Sequence, residues 1–187
     1  MRVIAGTCRG LKLKAPQGNT TRPTSDRVKE SLFNILSSTR TFDGVCVLDI
    51  CAGTGSLGIE ALSRGAVSCS FIENDRNVVE VLEKNLTISG FAQISEIIAM
   101  EALNALRLLA GRGRRYDLVF FDPPYESGLY ASVPELLCSQ GLLLSDSLFI
   151  AECSIRKTLP ASFGPIVKSD RRVYGDTALE FYTLEAA

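Results

Sequence analysis

Two short stretches hold residue types that can do chemistry together. The first is LVFFDPPYES, Leu118 to Ser127, where an apolar run bound for a core ends in an acid, two prolines and a tyrosine. Two residues without a backbone N–H end a strand ladder, so Asp122 and Tyr125 are left at the strand's exposed end. An exocyclic amine on a nucleobase is a poor nucleophile, because its lone pair is delocalised into the ring. If Asp122 and the carbonyl of Pro123 accept its two N–H bonds, the nitrogen is held with its lone pair toward a methyl donor. Asp122 can also take the proton as the amine becomes cationic, and Tyr125 offers a face on which a flipped-out base can stack. Taken alone, a Pro-Pro strand end with a capping Asp is the simpler reading.

The second stretch is DICAGTGSLG, Asp49 to Gly58, with GxGxxG at Gly53, Gly55 and Gly58 and an acid, Glu73, further on. Glycines let backbone N–H groups at a helix N-terminus approach a ligand, and a carboxylate after the next strand can accept from ribose hydroxyls. Any adenosine-containing cofactor could use that pattern. Asp49 stands just before the loop, where it would repel a pyrophosphate and attract an amino-acid ammonium, which favours S-adenosylmethionine over NAD. Glu101 is placed to contact the adenine amino group or its surroundings. Ligands of open parallel sheets bind beyond the carboxyl ends of the strands, so DPPY and the glycine loop share one crevice.

The elements that must position these residues alternate from about residue 45. VCVLDI (45 to 50) reads as a strand and SLGIEALSRG (56 to 65) as a helix stopped by Gly65. SCSFIEN (68 to 74) is the next strand, followed by a helix over RNVVEVLEKNLTISG with Val78, Val79, Leu82 and Leu86 near helical spacing. ISEIIAM (94 to 100), a short helix around EALNALRLLAG, YDLVFFD, a helix within GLYASVPELLCSQG, and SLFIAECS (147 to 154) complete the series. Such alternation predicts a mainly parallel sheet with helices on both faces. The tail instead shows two extended segments around Gly175-Asp176, an antiparallel hairpin that closes the sheet.

Residues 1 to 40 stand apart as a small basic extension, with short strands around Gly10 and a helix over TSDRVKESLFNILSST. Thr24, Ser25 or Asp26 is its N-cap, and Val28, Leu32, Ile35 and Leu36 form its apolar stripe. The predicted division is thus 1–40 and 41–187. The first 40 residues carry eight Lys or Arg against Asp26 and Glu30, a net of +6, while the rest carries −7. A basic arm on an acidic body suggests a polyanionic partner, an ordinary solvated terminus being the equal alternative.

With 187 residues, 46% hydrophobic and 22% charged, one sizeable core is expected, neither disordered nor a membrane protein. No apolar run approaches the roughly 18 residues of a membrane span, and MRVIAGTCRG lacks the apolar core of a secretory signal, so a cytoplasmic location is expected. The six cysteines form no CxxC pair and read as reduced. There is no histidine, which excludes a His-based triad and a His-ligated metal, and no metal is expected. A nicotinamide oxidoreductase would explain GxGxxG and Glu73 but not DPPY. A non-catalytic RNA-binding module would use the basic arm alone.

At these residues the chain resembles amino-methyltransferases with a D/N-P-P-Y/F motif. With RPTSDRVKESLFNIL (22 to 36), RxIxGxxRGxxL at the start, LDxxAGTGxLGIEALSRGA, xxIExDxxxxxxLxxN and FxDPPY, it resembles the RsmD family of bacterial 16S rRNA guanine-N2 methyltransferases over most of its first 125 residues. The resemblance implies a class I, Rossmann-like methyltransferase fold with a seven-stranded, mainly parallel sheet. It implies methyl transfer from S-adenosylmethionine to the N2 of one guanine, at 966 in conventional rRNA numbering, in the small subunit. Asp122, Pro123, Pro124 and Tyr125 match the catalytic motif. Asp49, Ala52, Gly53, Thr54 and Gly55 match the methionine-binding loop, Glu73 and Asn74 the ribose site, and Glu101-Ala102 a position where the family often has Asp-Ala or Asn-Ala. Arg9, Lys12, Lys14, Arg22 and Arg27 would grip rRNA phosphates beside the target loop, pairing of Arg22 and Arg27 with Asp26, Glu30 or site carboxylates being an equal alternative. DNA adenine or another rRNA base is the alternative acceptor, and a monomer is expected.

Overall fold

The computed structural model describes residues 1–16, 26–124 and 127–184. Its centre is a parallel run of five strands, β1 (Cys46–Ile50), β2 (Ser68–Ile72), β3 (Ser95–Ile98), β4 (Tyr116–Phe121) and β5 (Leu143–Ser154). The helices between them are α2 (Ser56–Ser63), α3 (Arg76–Ser89), α4 (Ala102–Gly111) and α5 (Leu129–Ser139), and α1 (Asp26–Thr39) precedes the sheet. An antiparallel end is added by β6 (Ser162–Phe163), β7 (Ile166–Tyr174) and β8 (Thr177–Leu184). The order across the sheet is β3-β2-β1-β4-β5-β8-β7-β6, so the described sheet has eight strands where seven were expected. The extra strand, β6, is two residues long and too short to leave a period-2 signal.

Strand alternation divides the core into two halves. Leu48, Ile50, Ile72, Val119 and Phe121 face α4 and α5, where Ala105, Leu106, Leu109, Val133 and Leu137 cover them. Val47, Phe71, Leu118 and Phe120 face the other way, toward α1, α2 and α3. Helix signals behave as expected in α3: Asp75 caps it by accepting from the Asn77 and Val78 N–H groups (2.8 and 3.4 Å), and Gly90 ends it in a left-handed conformation.

Three boundaries differ from the sequence expectation. A turn of 3₁₀ helix takes Ala92–Ile94, leaving β3 only four residues. α2 ends at Ser63, two residues before Gly65. β5 starts at Leu143, not 147, because the strand resumes across an irregularity: Tyr116 pairs with Leu143, then Leu118 with Leu148. Asp146 takes a positive φ of 60° there, and the Arg40 guanidinium donates to the carbonyls of Asp117 (3.1 Å) and Asp146 (3.0 Å).

The described part of residues 1–40 is built into the second core half, through Val3, Leu13, Val28, Leu32, Phe33 and Leu36. Arg2 and Lys12 form a single antiparallel bridge around the Gly10 turn. Thr24 and Ser25, two of the three N-cap candidates for α1, lie outside the described residues. No described helix is long and apolar enough to cross a membrane. All six cysteines are free thiols.

Candidate active site

The parallel register brings the chemistry to one edge. Ile98, Ile72, Ile50 and Phe121 stand in one row across β3, β2, β1 and β4. The residues just beyond that row on β2, β1 and β4 are Glu73, Cys51 and Asp122, each left at a strand end by its own apolar run, and Glu101 follows Ile98 by three positions. The Asp122 N–H continues the β1–β4 ladder by one bond, donating to the Ile50 carbonyl at 3.3 Å. The prolines stop it there: Pro123 is buried, Pro124 is exposed, and the Pro124 carbonyl accepts from the Ser127 N–H at 2.9 Å. Tyr125 lies outside the described residues.

Asp49 is on the strand face that holds Val47, toward α2. Its Oδ2 accepts from the Gly58 N–H at 2.9 Å, and the residue is 2% exposed. The carboxyl therefore braces the first turn of α2 from below. Burial pushes its pKa up to about 8, the Gly58 bond opposes the rise, and the nearby Asp122 and Glu73 charges add to it. Burial likewise pushes the Cys51 thiol up to about 12, with Glu73, Asp122, Asp49 and Glu101 all raising it further. Four acids thus lie near the Cys51 thiol. Cys51 itself holds a positive φ of 61°, a conformation disfavoured without glycine, at the exit of β1.

The loop after β1 is tightly packed for its size. The Gly53 N–H donates to Glu73 Oε2 (2.9 Å), and Glu73 Oε1 accepts from the Asn74 and Asp75 N–H groups (2.9 and 3.0 Å). Asn74 donates through Nδ2 to Glu101 Oε1 at 2.6 Å, joining the β2 end to the start of α4, where Ala102 is buried. The Ala52 N–H reaches the Ile72 carbonyl at 2.9 Å. Gly55 has φ 80°, and a Cβ there would sit 2.4 Å from Leu82 Cδ1. A Cβ at Gly58 would sit 2.3 Å from Phe71 Cε1, so the third glycine is required by the contact of α2 with β2. Thr54 is nearly buried and its hydroxyl lies 3.6 Å from Met1 Sδ.

Of the expected phosphate-gripping residues, Arg9, Lys12, Lys14 and Arg27 are exposed, and Arg22 lies outside the described residues. A groove of about 350 Å³ at the foot of the arm is lined by Met1, Arg2, Lys12, Leu13 and Asp26. Two other basic residues counted in the +6 are structural. Arg40 plugs the β4–β5 irregularity, and Lys29 is wholly buried, 3.4 Å from Glu60 Oε2. Burial lowers the Lys29 pKa, and Glu60 opposes the fall. Glu60 also takes the Arg64 Nε at 2.9 Å. Sequence reasoning gave no role to Glu60 and Asn85, although both stand in the quoted motifs and an acid and an amide inside apolar helix stripes were a further signal.

The sequence profile of the family described as Conserved hypothetical protein 95 matches residues 1–183. The chain is 38% identical over 188 residues to the "Ribosomal RNA small subunit methyltransferase D" of Escherichia coli (strain K12), covering 100% of this chain and 91% of that one. The chain belongs to the RsmD family. A Bacillus subtilis (strain 168) member, "Putative rRNA methyltransferase YlbH", is 36% identical over 182 residues, 97% of this chain and 98% of its own. The solved structure "Putative methyltransferase yhhF from Escherichia coli" superposes with a TM-score of 0.87 at 36% identity, covering 100% of this chain and 99% of that one. The RsmD sheet, with its parallel core and antiparallel end, is therefore the class I methyltransferase fold. Among the described residues no group of three His, Cys, Asp or Glu side chains is arranged to hold a metal ion.

Proposed function

We propose that the protein transfers a methyl group from S-adenosylmethionine to the exocyclic N2 of a guanine, at 966 in conventional numbering, in 16S rRNA of the small ribosomal subunit. The observation that carries this reading is the convergence of Asp49, Glu73, Glu101 and Asp122 around Cys51, at the sheet edge where the DPPY motif ends β4. The Glu73, Glu101 and Asp122 carboxylates, joined by Asp49 once it ionises, suit a ligand that bears an ammonium and a sulfonium, and they would repel the pyrophosphate of a dinucleotide.

S-adenosylmethionine, when bound, supplies an electrophilic methyl whose sulfur leaves as a neutral thioether. Asp49 and the loop from Ala52 to Gly55 would hold its amino-acid end, Glu73 and Asn74 its ribose, and Glu101-Ala102 its adenine. The chain's own part in transfer is positional. Asp122 and the Pro123 carbonyl accept the two N–H bonds of the amine, which turns its lone pair toward the methyl. As the N–C bond forms, Asp122 takes the proton from the nitrogen. Tyr125 stacks on the flipped base. Residues 1–40 act as the RNA-contacting extension, with Arg9, Lys12, Lys14, Arg22 and Arg27 on phosphates.

The test is to incubate the protein with labelled S-adenosylmethionine and small subunits lacking the modification, then map the label. We expect one labelled guanine, and loss of labelling with retained cofactor binding in Asp122→Ala. Label on adenine, or on DNA in preference to rRNA, would replace the assigned acceptor. Full labelling by Asp122→Ala would sink the role given to the motif.

A further inference from the structure

Asn85 ends the xxIExDxxxxxxLxxN motif and has no part in the chemistry above. It sits on α3 and is fully buried. Its Oδ1 accepts from the Lys14 N–H at 2.8 Å, and its Nδ2 donates to the carbonyls of Lys14 (3.1 Å) and Thr54 (2.9 Å). One side chain therefore grips the basic arm like a neighbouring strand and, with the same amide, holds the glycine loop. The arm has other anchors, among them two buried side chains of α2. Glu60 accepts from the Ile4 and Ala5 N–H groups (2.7 and 3.0 Å), while Ser63 accepts from Cys8 and donates to the Ala5 carbonyl (3.0 and 2.7 Å). Of these three residues, Asn85 alone also touches the loop.

We propose that Asn85 is a positioning residue that couples the methyl-donor loop to the RNA-contacting arm, so that cofactor and rRNA strengthen each other's binding. The proposal rests on the function assigned above. Buried polar groups are almost always paired, so the three backbone groups held by Asn85 have a strong preference for the arrangement seen. A ligand that orders Gly53 to Gly55 fixes the Thr54 carbonyl, and through the shared amide it fixes Lys14 at the exit of the arm. Coupling of this kind is reciprocal by thermodynamic necessity. The Thr54 hydroxyl beside Met1 gives the same two segments a second point of contact.

The experiment follows amide hydrogen exchange at Lys14 with and without saturating S-adenosylhomocysteine, alongside calorimetric titration of that ligand. In the wild type the ligand should slow exchange at Lys14 by about fivefold or more, and should tighten binding of unmodified small subunits by a similar factor. Asn85→Asp keeps an acceptor for the Lys14 N–H but loses the donor to the Thr54 and Lys14 carbonyls, and should abolish both effects. Ser63→Ala loosens the arm from α2 without touching the bridge, and should keep the response at Lys14. Ligand binding with unchanged exchange at Lys14 in the wild type overturns the coupling without any variant. A folded Asn85→Asp that responds like the wild type, or a Ser63→Ala that does not respond, also overturns it. Failure of the wild type to bind S-adenosylhomocysteine overturns the functional reading and the coupling together.

Discussion

Under the proposed function, cofactor binding should expel a proton near neutral pH, because Asp49 would have to ionise to meet a cationic ligand. Its carboxyl is pushed up to about 8, first by burial and then by Asp122 and Glu73, against the pull of the Gly58 N–H. With that value about nine-tenths of the group is protonated at pH 7. An ammonium beside it stabilises the charged form, so binding releases up to ~0.9 proton per site at pH 7, about half that at pH 8 and ~0.1 at pH 9. Calorimetric titration with S-adenosylhomocysteine in buffers of different ionisation enthalpy counts this proton from the slope of apparent enthalpy. Asp49→Asn keeps an oxygen for the Gly58 N–H and should show no slope and weaker binding. The same group shapes stability. A folded-state pKa above the unfolded value means that the contribution is complete below about pH 4 and is lost as pH rises to about 8. At about 1.4 kcal/mol per pKa unit, that loss is on the order of 5 kcal/mol. Urea unfolding of the ligand-free protein should therefore show the wild type losing stability from pH 5 to 9 while Asp49→Asn stays nearly level. A wild type with no proton release at pH 7, or one that is pH-insensitive over this range, refutes the reasoning.

Other substitutions test the packing. Gly58→Ala places a methyl 2.3 Å from Phe71 in a helix whose backbone tolerates alanine, so urea unfolding should show a loss of about 1–3 kcal/mol with an unchanged m-value; no loss would mean that Phe71 yields without cost. Glu60→Ala leaves Lys29 buried beside no carboxylate and frees the Ile4 and Ala5 N–H groups, for an expected loss of about 3–5 kcal/mol by denaturant titration. Adding Lys29→Met should restore part of that loss, since it removes the stranded charge. Tyr116→Phe deletes a buried hydrogen bond to Ser70 Oγ (2.9 Å) and should lower the urea-derived stability by about 1–3 kcal/mol.

The β-α order, the helix after each strand and the closing hairpin are legible because each depends on local period and on turn residues. Leu82 and Leu86 report a helix face, and Gly90 and Gly175 report a stop and a turn. What sequence left dark depends on contacts between distant segments. The strand expected over 147 to 154 starts earlier because Ser145 and Asp146 lie inside it, at a gap filled by Arg40 from over 100 residues away. The basic arm overstated its free charge, because nothing in its own composition distinguishes Lys29, wholly buried against Glu60, from the exposed Lys12 and Lys14. Asp49 was legible as a carboxylate beside the loop, but its bond to Gly58 follows from the alternation that turns residue 49 toward α2.

Glu73 shows how recognition and loop order become one event. An ionised carboxylate offers about four lone-pair sites. Oε1 is filled by the Asn74 and Asp75 N–H groups, and among the described residues Oε2 takes only the Gly53 N–H. One ribose hydroxyl can therefore bond to Oε2 beside Gly53 without displacing anything, whereas a second on Oε1 would have to evict an amide at the start of α3. Under the proposed function, the carboxylate that would read the ribose is the one whose bond to the Gly53 N–H holds the glycine loop. Glu73→Gln keeps the acceptor oxygen for one side only and presents an NH₂ to the other, so the loop and the ribose should compete for a single oxygen. The expected result is a rise in KM for S-adenosylmethionine of about tenfold with kcat little changed, because the amine-facing Asp122 is untouched. An equal fall in kcat would mean that Glu73 acts on the reacting atoms instead, and would detach it from the binding role its three hydrogen bonds describe.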